Sequence, residues 1–111
     1  PFNFGPPGHQ NQSVGDLVEE MTKYWDQVRW TDISEKYGGP YESGLLKLNC
    51  DKALYHLKWQ AVWGFEETVR ETVLWYRHYY EQPLDSIAGF SLEQIDAYID
   101  SARQQGKQWA K

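Results

Sequence analysis

The stretch from Glu42 to Tyr76 constrains the fold most, because its turn and cap residues set a fixed order of short elements. Its residues 45–48 are strand-like, and Asn49, a residue type that caps helices, starts a short helix that reaches residue 57. A turn that carries two tryptophans comes next, and Gly64 then opens a longer helix. Pro83 stops that helix near residue 81, since proline removes a backbone donor and its ring clashes with the preceding turn. This order predicts a small mixed domain.

Cap residues and apolar spacing predict the other elements. Ser13 can cap a helix with Asp16 in its first turn, and Ser91 opens the last helix with a capping box to Gln94. The predicted helices are 14 to about 25, 50–57, 64 to about 81 and 91 to about 103, and the predicted short strands are 2–4, 28–32 and 45–48. The predicted fold class is α/β, of an α+β-like and helix-dominated kind, with two or three short strands and about four helices. We expect one domain over residues 1–111, with a frayed polar tail over 104–111.

The aromatic content points to a core and also to a partner. The chain has 111 residues, which is at most one domain, and includes six tryptophans and eight tyrosines. Any single aromatic residue is expected in the core. As a set, several are expected to face a partner, because one small core cannot cover them all. The predicted core face of the longer helix consists of Phe65, Val69, Thr72, Val73, Tyr76 and Tyr80.

Charge and apolar patterning exclude several classes of partner. The net charge is −5 and no basic stripe carries interleaved aromatics, so nucleic-acid binding is disfavoured. No apolar run approaches about 20 residues, so we expect no membrane span. The start of the chain has neither a basic region nor an apolar stretch, which excludes a secretory signal there. Cys50 is the only cysteine, so no disulfide framework is expected and a cytoplasmic location fits.

An ordered set of motifs resembles one enzyme family. The motifs are N-F-G-P at 3–6, V-x-x-L-V-E-x-M at 14–21, E-x-x-x-L-K-L-N-C-x-K-A at 42–53, tryptophans at 59 and 63, and T-V-x-W-Y at 72–76. Together they resemble the C-terminal, substrate-binding part of CDP-glucose 4,6-dehydratases, which are extended short-chain dehydrogenases/reductases. The resemblance covers about residues 2 to 98 and implies a substrate domain without its Rossmann domain. The chain departs from the family pattern at Tyr41, Asn49 and Lys58, where the family usually has His, Asp and Gly.

The resemblance implies a reaction whose catalytic parts this sequence lacks. The full-length family member converts CDP-glucose to CDP-4-keto-6-deoxyglucose with a tightly held NAD, which takes and returns a hydride while water leaves the sugar. The best match to a pyrophosphate-binding glycine motif is Gly5-x-x-Gly8, and its two prolines predict a turn instead. None of the eight tyrosines is followed by a lysine four residues later. We therefore expect no catalytic residue and no NAD in this chain alone, with NAD held by the full-length parent.

One pair of substrate-binding residues follows from the resemblance. A loop glutamate before the strand binds ribose hydroxyls of the nucleotide in related enzymes, and Glu42 occupies that position. A carboxylate can accept hydrogen bonds from both vicinal hydroxyls. The alternative interpretation is that Glu42 is a surface residue without a role in binding. Tyr41 could stack on the base. The histidines at 9, 56 and 78 lack the spacing of metal ligands.

Three functional hypotheses remain open at this point. The first is the nucleotide-sugar-binding part of a CDP-glucose 4,6-dehydratase, which would bind CDP-glucose together with the missing Rossmann domain. The second is a fragment of another nucleotide-sugar epimerase or dehydratase. The third is a stand-alone aromatic-rich interaction module without enzymatic activity. Exposed apolar surface would allow the chain to form oligomers in each case.

Overall fold

The described part of the chain is built from helices. A computed structural model describes residues 1–33 and 48–110, and these residues form no β-strand. The helices are α1 (Val14–Thr22), α2 (Asp51–Leu57), α3 (Phe65–Glu81) and α4 (Ile87–Gln104), with short 3-10 turns at Leu84–Ser86 and Gln108–Ala110. The predicted α/β class is therefore wrong over the described residues, which are all-helical. Within these two ranges, no helix is long and apolar enough to cross a membrane.

The strand predicted at residues 2–4 does not form, and its aromatic residues instead contact α2 and the turn after it. The Phe2 ring lies 6.4 Å from the His56 ring, and the Phe4 ring meets Trp59 edge-on at 5.0 Å. Asn3 donates a side-chain hydrogen bond to the Asn49 carbonyl at 3.2 Å. Residues 28–32 also form no strand, and the predicted strand at 45–48 lies mostly outside the described residues. Alternation over three to five residues indicates a strand only where a partner strand supplies a hydrogen-bonded ladder.

Helix α1 begins at the predicted residue and is fixed by a reciprocal cap. The Asp16 backbone N–H donates to the Ser13 hydroxyl at 3.1 Å, and the Ser13 backbone N–H donates to the Asp16 carboxylate at 2.7 Å. These backbone and side-chain hydrogen bonds from Ser13 lower the pKa of Asp16. The helix ends at Thr22, three residues before the predicted end.

Helix α2 ends in a left-handed turn without a glycine. Asn49 accepts the Asp51 N–H through its side-chain oxygen at 2.9 Å, so it helps to start the helix as predicted, although the helix itself begins at Asp51. Lys58 has φ +55°, a conformation that costs a residue with a Cβ atom about 1–2 kcal/mol. The Trp59 N–H then reaches the Ala53 carbonyl at 3.4 Å.

Helix α3 has both predicted bounds, whereas α4 begins earlier than predicted. Gly64 is the N-cap of α3, and the helix ends at Glu81. The capping box predicted for Ser91 is wrong, because α4 already begins at Ile87 and Ser91 lies one turn inside it. The Ser91 hydroxyl donates to the Ile87 carbonyl at 2.8 Å and accepts the Trp75 indole N–H at 2.9 Å.

The core of the described residues is small and has two parts: one is on α3, which contacts both α1 and α4, and the other is a cluster of Val62, Ala102 and Ala110. Val69 and Val73 are buried, and Val73 is 0% exposed. Tyr76 and Tyr80 belong to the predicted core face, yet they are 47% and 68% exposed. Much aromatic and aliphatic surface of the described residues therefore faces outward.

The end of the chain turns back onto α4, where the composition predicts a frayed tail. Gly106 has φ +68°, a conformation that glycine adopts without steric cost. The Gly106 N–H donates to the Arg103 carbonyl and the Lys107 N–H to the Ala102 carbonyl, both at 2.9 Å, as in a Schellman motif. The turn buries Ala110, which is 4% exposed.

Candidate functional site: a cleft around Trp59

The two residues predicted to bind substrate lie outside the described part of the chain. Tyr41 and Glu42 fall between residues 33 and 48, so their role stays a prediction. The first described residue after that gap, Leu48, lines a cleft that the sequence did not indicate.

This cleft, the Trp59 cleft, consists of two neighbouring cavities with shared walls. Both are lined by the 5–8 segment, Leu48, Trp59 and Ala61. The inner chamber, of about 690 Å³, extends between α1 and α3, and the outer chamber, of about 610 Å³, extends toward α2. Both volumes lie within the range of small-molecule sites, about 300–1,000 Å³. The rest of the inner wall consists of Phe4, Gln10, Gln12, Ser13, Val14, Leu17, Trp63, Phe65, Thr68, Val69 and Tyr98.

Trp59 is held in the cleft from both sides. Its backbone follows the left-handed turn at Lys58, and its ring meets the Phe4 ring edge-on. The residues after it are bound to α4, since the Val62 N–H donates to the Tyr98 hydroxyl at 3.2 Å and the Trp63 indole N–H donates to Ser101 at 3.0 Å. The linker between α2 and α3 is thereby pinned to α4, with Trp59 facing the cavities.

The opposite wall is the glycine-proline segment near the start of the chain. The Gln10 N–H donates to the Pro7 carbonyl at 3.0 Å, so a turn spans residues 7–10 and overlaps the end of the segment 5–8 where a turn is predicted. A Cβ atom at Gly5 would lie 3.5 Å from the Cys50 sulfur, so the backbone passes close to the start of α2. A dinucleotide fingerprint needs a helix directly after its glycines, but α1 begins only at Val14. The segment therefore does not fit the pyrophosphate of NAD.

The two chambers differ in chemistry. The inner chamber is mainly apolar, whereas the outer chamber adds polar side chains. These polar residues are His9, Asn49, Asp51 and Gln60. Among the described lining residues of both chambers there is no lysine or arginine. These described residues therefore offer a ligand aromatic surface and hydrogen-bonding groups.

A serine–histidine contact elsewhere does not form a nucleophile. His78 Nε2 lies 2.7 Å from the Ser86 hydroxyl oxygen. The Ser86 hydroxyl donates its proton to the Pro83 carbonyl at 2.6 Å, so His78 is the donor toward Ser86. The His78 ring also stacks on Phe90 at 4.3 Å, which suits a role in joining α3 to α4. In the part of the chain that the structure describes, no group of three or more potential metal ligands occurs.

Comparison with known proteins gives one partial match. Over 77 residues the chain is 35% identical to CDP-glucose 4,6-dehydratase from Salmonella typhimurium (strain LT2). The matched region is 68% of this chain and 21% of that enzyme, so the chain spans about a fifth of the relative's length. No family model matches the chain, and no solved structure matches it. The similarity agrees with the resemblance in the sequence motifs and relates this chain to part of a larger enzyme.

Proposed function

We propose that this chain is the nucleotide-sugar-binding part of a CDP-glucose 4,6-dehydratase. The observation that carries the proposal is the 35% identity over 77 residues to the Salmonella enzyme. The whole enzyme would convert CDP-glucose to CDP-4-keto-6-deoxyglucose. The presence of a cleft with the volume of a ligand site in the described residues supports a binding role.

In this proposal the NAD chemistry belongs to another part of the enzyme. The cofactor supplies hydride transfer, and a Rossmann domain would hold it. The described residues of this chain do not fit NAD, since the glycine-proline segment forms a turn and α1 starts several residues later. The chain alone would bind nucleotide weakly and would not turn over, because half of the substrate cleft would be missing.

The nucleotide end of the substrate is assigned to the loop before α2. We propose that the Glu42 carboxylate accepts both ribose hydroxyls and that Tyr41 stacks on the base. Leu48, six residues after Glu42 in the sequence, lines the cleft.

The exposed apolar surface suits contact with a further domain. Leu92 and Ile95 on α4 are 62% and 54% exposed, although they follow helical spacing. Such a surface costs free energy in water unless another surface covers it. We propose that a Rossmann domain covers part of it in the complete enzyme.

A chimera tests the proposed function. The matching region of the Salmonella enzyme is replaced by this chain, and water loss from CDP-glucose is followed by mass spectrometry. We expect turnover by the chimera and none by the chain alone. Glu42→Gln in the chimera should raise KM, while Glu93→Gln on α4 serves as the matched control. A folded, NAD-binding chimera without turnover, or NAD-linked turnover by the chain alone, would contradict the proposal. UDP-glucose and GDP-mannose as alternative substrates decide the nucleotide.

A second candidate function is an aromatic interaction module. The observation that favours it is a continuous set of rings on α3 and the segment after α1, here called the α3 aromatic row: Trp25, Trp75, Tyr76, Tyr79 and Tyr80. Tyr80 is 68% exposed and stacks on Trp25 at 5.9 Å. Light scattering together with binding of an apolar dye separates the two functions. A module that covers the row in an oligomer would bind little dye.

A further inference from the structure

We propose that the outer chamber of the Trp59 cleft binds an uncharged sugar ring, with Trp59 as the aromatic platform and Asp51 as the acceptor for vicinal hydroxyls. This inference rests on the proposed function, and it names the portion of the nucleotide sugar that the chamber would take. The pyrophosphate of the nucleotide sugar is not assigned to this chamber.

The platform is available because Trp59 lines both chambers and is only partly buried. The Phe4 ring stands nearly perpendicular to it, with an angle of 87° and 5.0 Å between the ring centres. A sugar ring has an apolar face of C–H bonds and an edge of hydroxyls. An aromatic ring beside polar groups matches both parts of such a molecule.

The acceptor is held in place by its neighbour. The Asn49 amide donates to the Asp51 carboxylate at 3.2 Å, while the Asp51 N–H donates to the Asn49 side-chain oxygen at 2.9 Å. Asp51 keeps a second carboxylate oxygen, and the pair of oxygens can accept two hydroxyl donors. Gln60 lies on the same chamber wall and accepts a hydrogen bond from Lys107 at 3.3 Å.

Charge decides against the pyrophosphate. No lysine or arginine occurs among the described residues that line either chamber, and Asp51 adds a negative charge to the outer one. The Lys107 ammonium donates to the Gln60 side-chain oxygen at 3.3 Å, but Lys107 itself does not line the chamber. Beside these residues a diphosphate would lose part of its hydration, and the Asp51 carboxylate would repel it. A neutral ring has neither cost.

Indole NMR signals test the inference directly. The chain is labelled with ¹⁵N at its tryptophans, and the Trp59 signal is identified by its loss in Trp59→Phe. The probes are methyl α-D-glucopyranoside, cytidine and inorganic pyrophosphate. Since the ribose is assigned to Glu42, we expect methyl α-D-glucopyranoside to shift the Trp59 signal in a saturable way, and pyrophosphate to leave it unchanged. Cytidine is the comparison that shows whether the chamber takes the ribose instead, which would contradict this assignment.

Substitutions separate binding in the chamber from a general effect. Asp51→Asn removes one acceptor oxygen and should weaken the sugar about tenfold, the effect of a lost hydrogen bond to a charged group. Asp96→Asn, on the exposed side of α4, is the matched control and should change nothing. Circular dichroism checks that both variants keep the helical signal of the unmodified chain.

Two results would overturn the inference. One is a Trp59 signal that pyrophosphate shifts as strongly as the sugars do. The other is a Trp59 signal that methyl α-D-glucopyranoside does not shift, or shifts equally in Asp51→Asn and the unmodified chain. These failures differ from failure of the proposed function, because a chimera that loses water from CDP-glucose would stay active in either case.

Discussion

The Trp25 indole N–H donates a hydrogen bond of 2.9 Å to one carboxylate oxygen of Glu81, 56 residues further along the chain. The other carboxylate oxygen accepts a hydrogen bond of 2.9 Å from Arg77, one turn earlier on α3. Glu81 is the last residue of α3, where the negative helix end disfavours a carboxylate. The two donors offset that effect and tie the segment after α1 to the end of α3.

Stability should fall in acid because of Glu81. The Arg77 hydrogen bond, together with the one from Trp25, holds the pKa of Glu81 below its ordinary value of 4.5, although desolvation opposes this. A carboxylate with a lowered folded-state pKa stabilises the fold above its unfolded pKa, and this contribution disappears as the pH falls through the folded-state value. Urea midpoints measured below pH 4.5 should therefore decrease, and less steeply in Glu81→Gln than in the exposed control Glu93→Gln. Equal slopes would show that folding does not lower the pKa of Glu81.

Lys58→Gly should stabilise the chain. Lys58 has φ +55°, and glycine adopts this conformation without the Cβ clash, so the free energy of unfolding should rise by about 1 kcal/mol. Lys52→Gly is the matched control inside α2, where glycine should lower the free energy of unfolding by about 1 kcal/mol. Chemical denaturation measures both changes. If both substitutions raise the free energy of unfolding, or both lower it, the turn after α2 is not left-handed.

Val73→Ala should be the more damaging of two valine truncations. Val73 is fully buried where α3 meets its neighbours, so losing its methyl groups should cost about 2 kcal/mol. Val14→Ala removes the same atoms from a side chain that is 77% exposed, and should stay within about 0.5 kcal/mol. Thermal unfolding of both variants compares them. Similar losses of stability in the two variants would contradict the prediction and would mean that the core rearranges around the missing methyl groups.

Alanine and glycine at position 91 report where α4 begins. If Ser91 capped the helix, glycine would be tolerated better than alanine. Inside the helix glycine costs about 1 kcal/mol more than alanine, and we expect this order because Ser91 lies one turn after Ile87. Ser91→Ala itself should cost about 1 kcal/mol, because the partly buried Trp75 indole N–H loses its acceptor. Urea unfolding of the two variants gives the order.

Helix starts could be predicted where the signal is local. Ser13 and Gly64 begin α1 and α3 as expected, because a cap depends on residues within one turn. Ser91 carries the same local pattern with Gln94, but tertiary contacts decide there. The Gln94 amide donates to the Glu71 carbonyl at 2.7 Å, and the Ser91 hydroxyl accepts the Trp75 indole N–H. The pattern alone cannot distinguish a cap from a turn inside a longer helix.

The Trp59 cleft could not be predicted for a different reason. Its walls come from residues such as Phe4 and Trp59, which lie 55 positions apart, and no spacing rule connects them. The strand predicted at residues 2–4 used the same aromatic residues, but they contact α2 and its exit turn instead of a neighbouring strand. The motif resemblance, in contrast, agreed with the similarity to the Salmonella enzyme because it used the order of many short segments.

The long sequence separation across the cleft has a consequence for folding. Helices α3 and α4 are joined by a short connection and can form contacts early, whereas the hydrogen bond from Asn3 to Asn49 must close a loop of 46 residues. Closing this loop costs chain entropy before the contact contributes any favourable free energy. The wall formed by the first residues should therefore assemble last and open first, so amide hydrogens near Gly5 should exchange faster than those near Val73. The chain would then offer its cleft to a ligand through brief local unfolding while the α3–α4 pair stays folded.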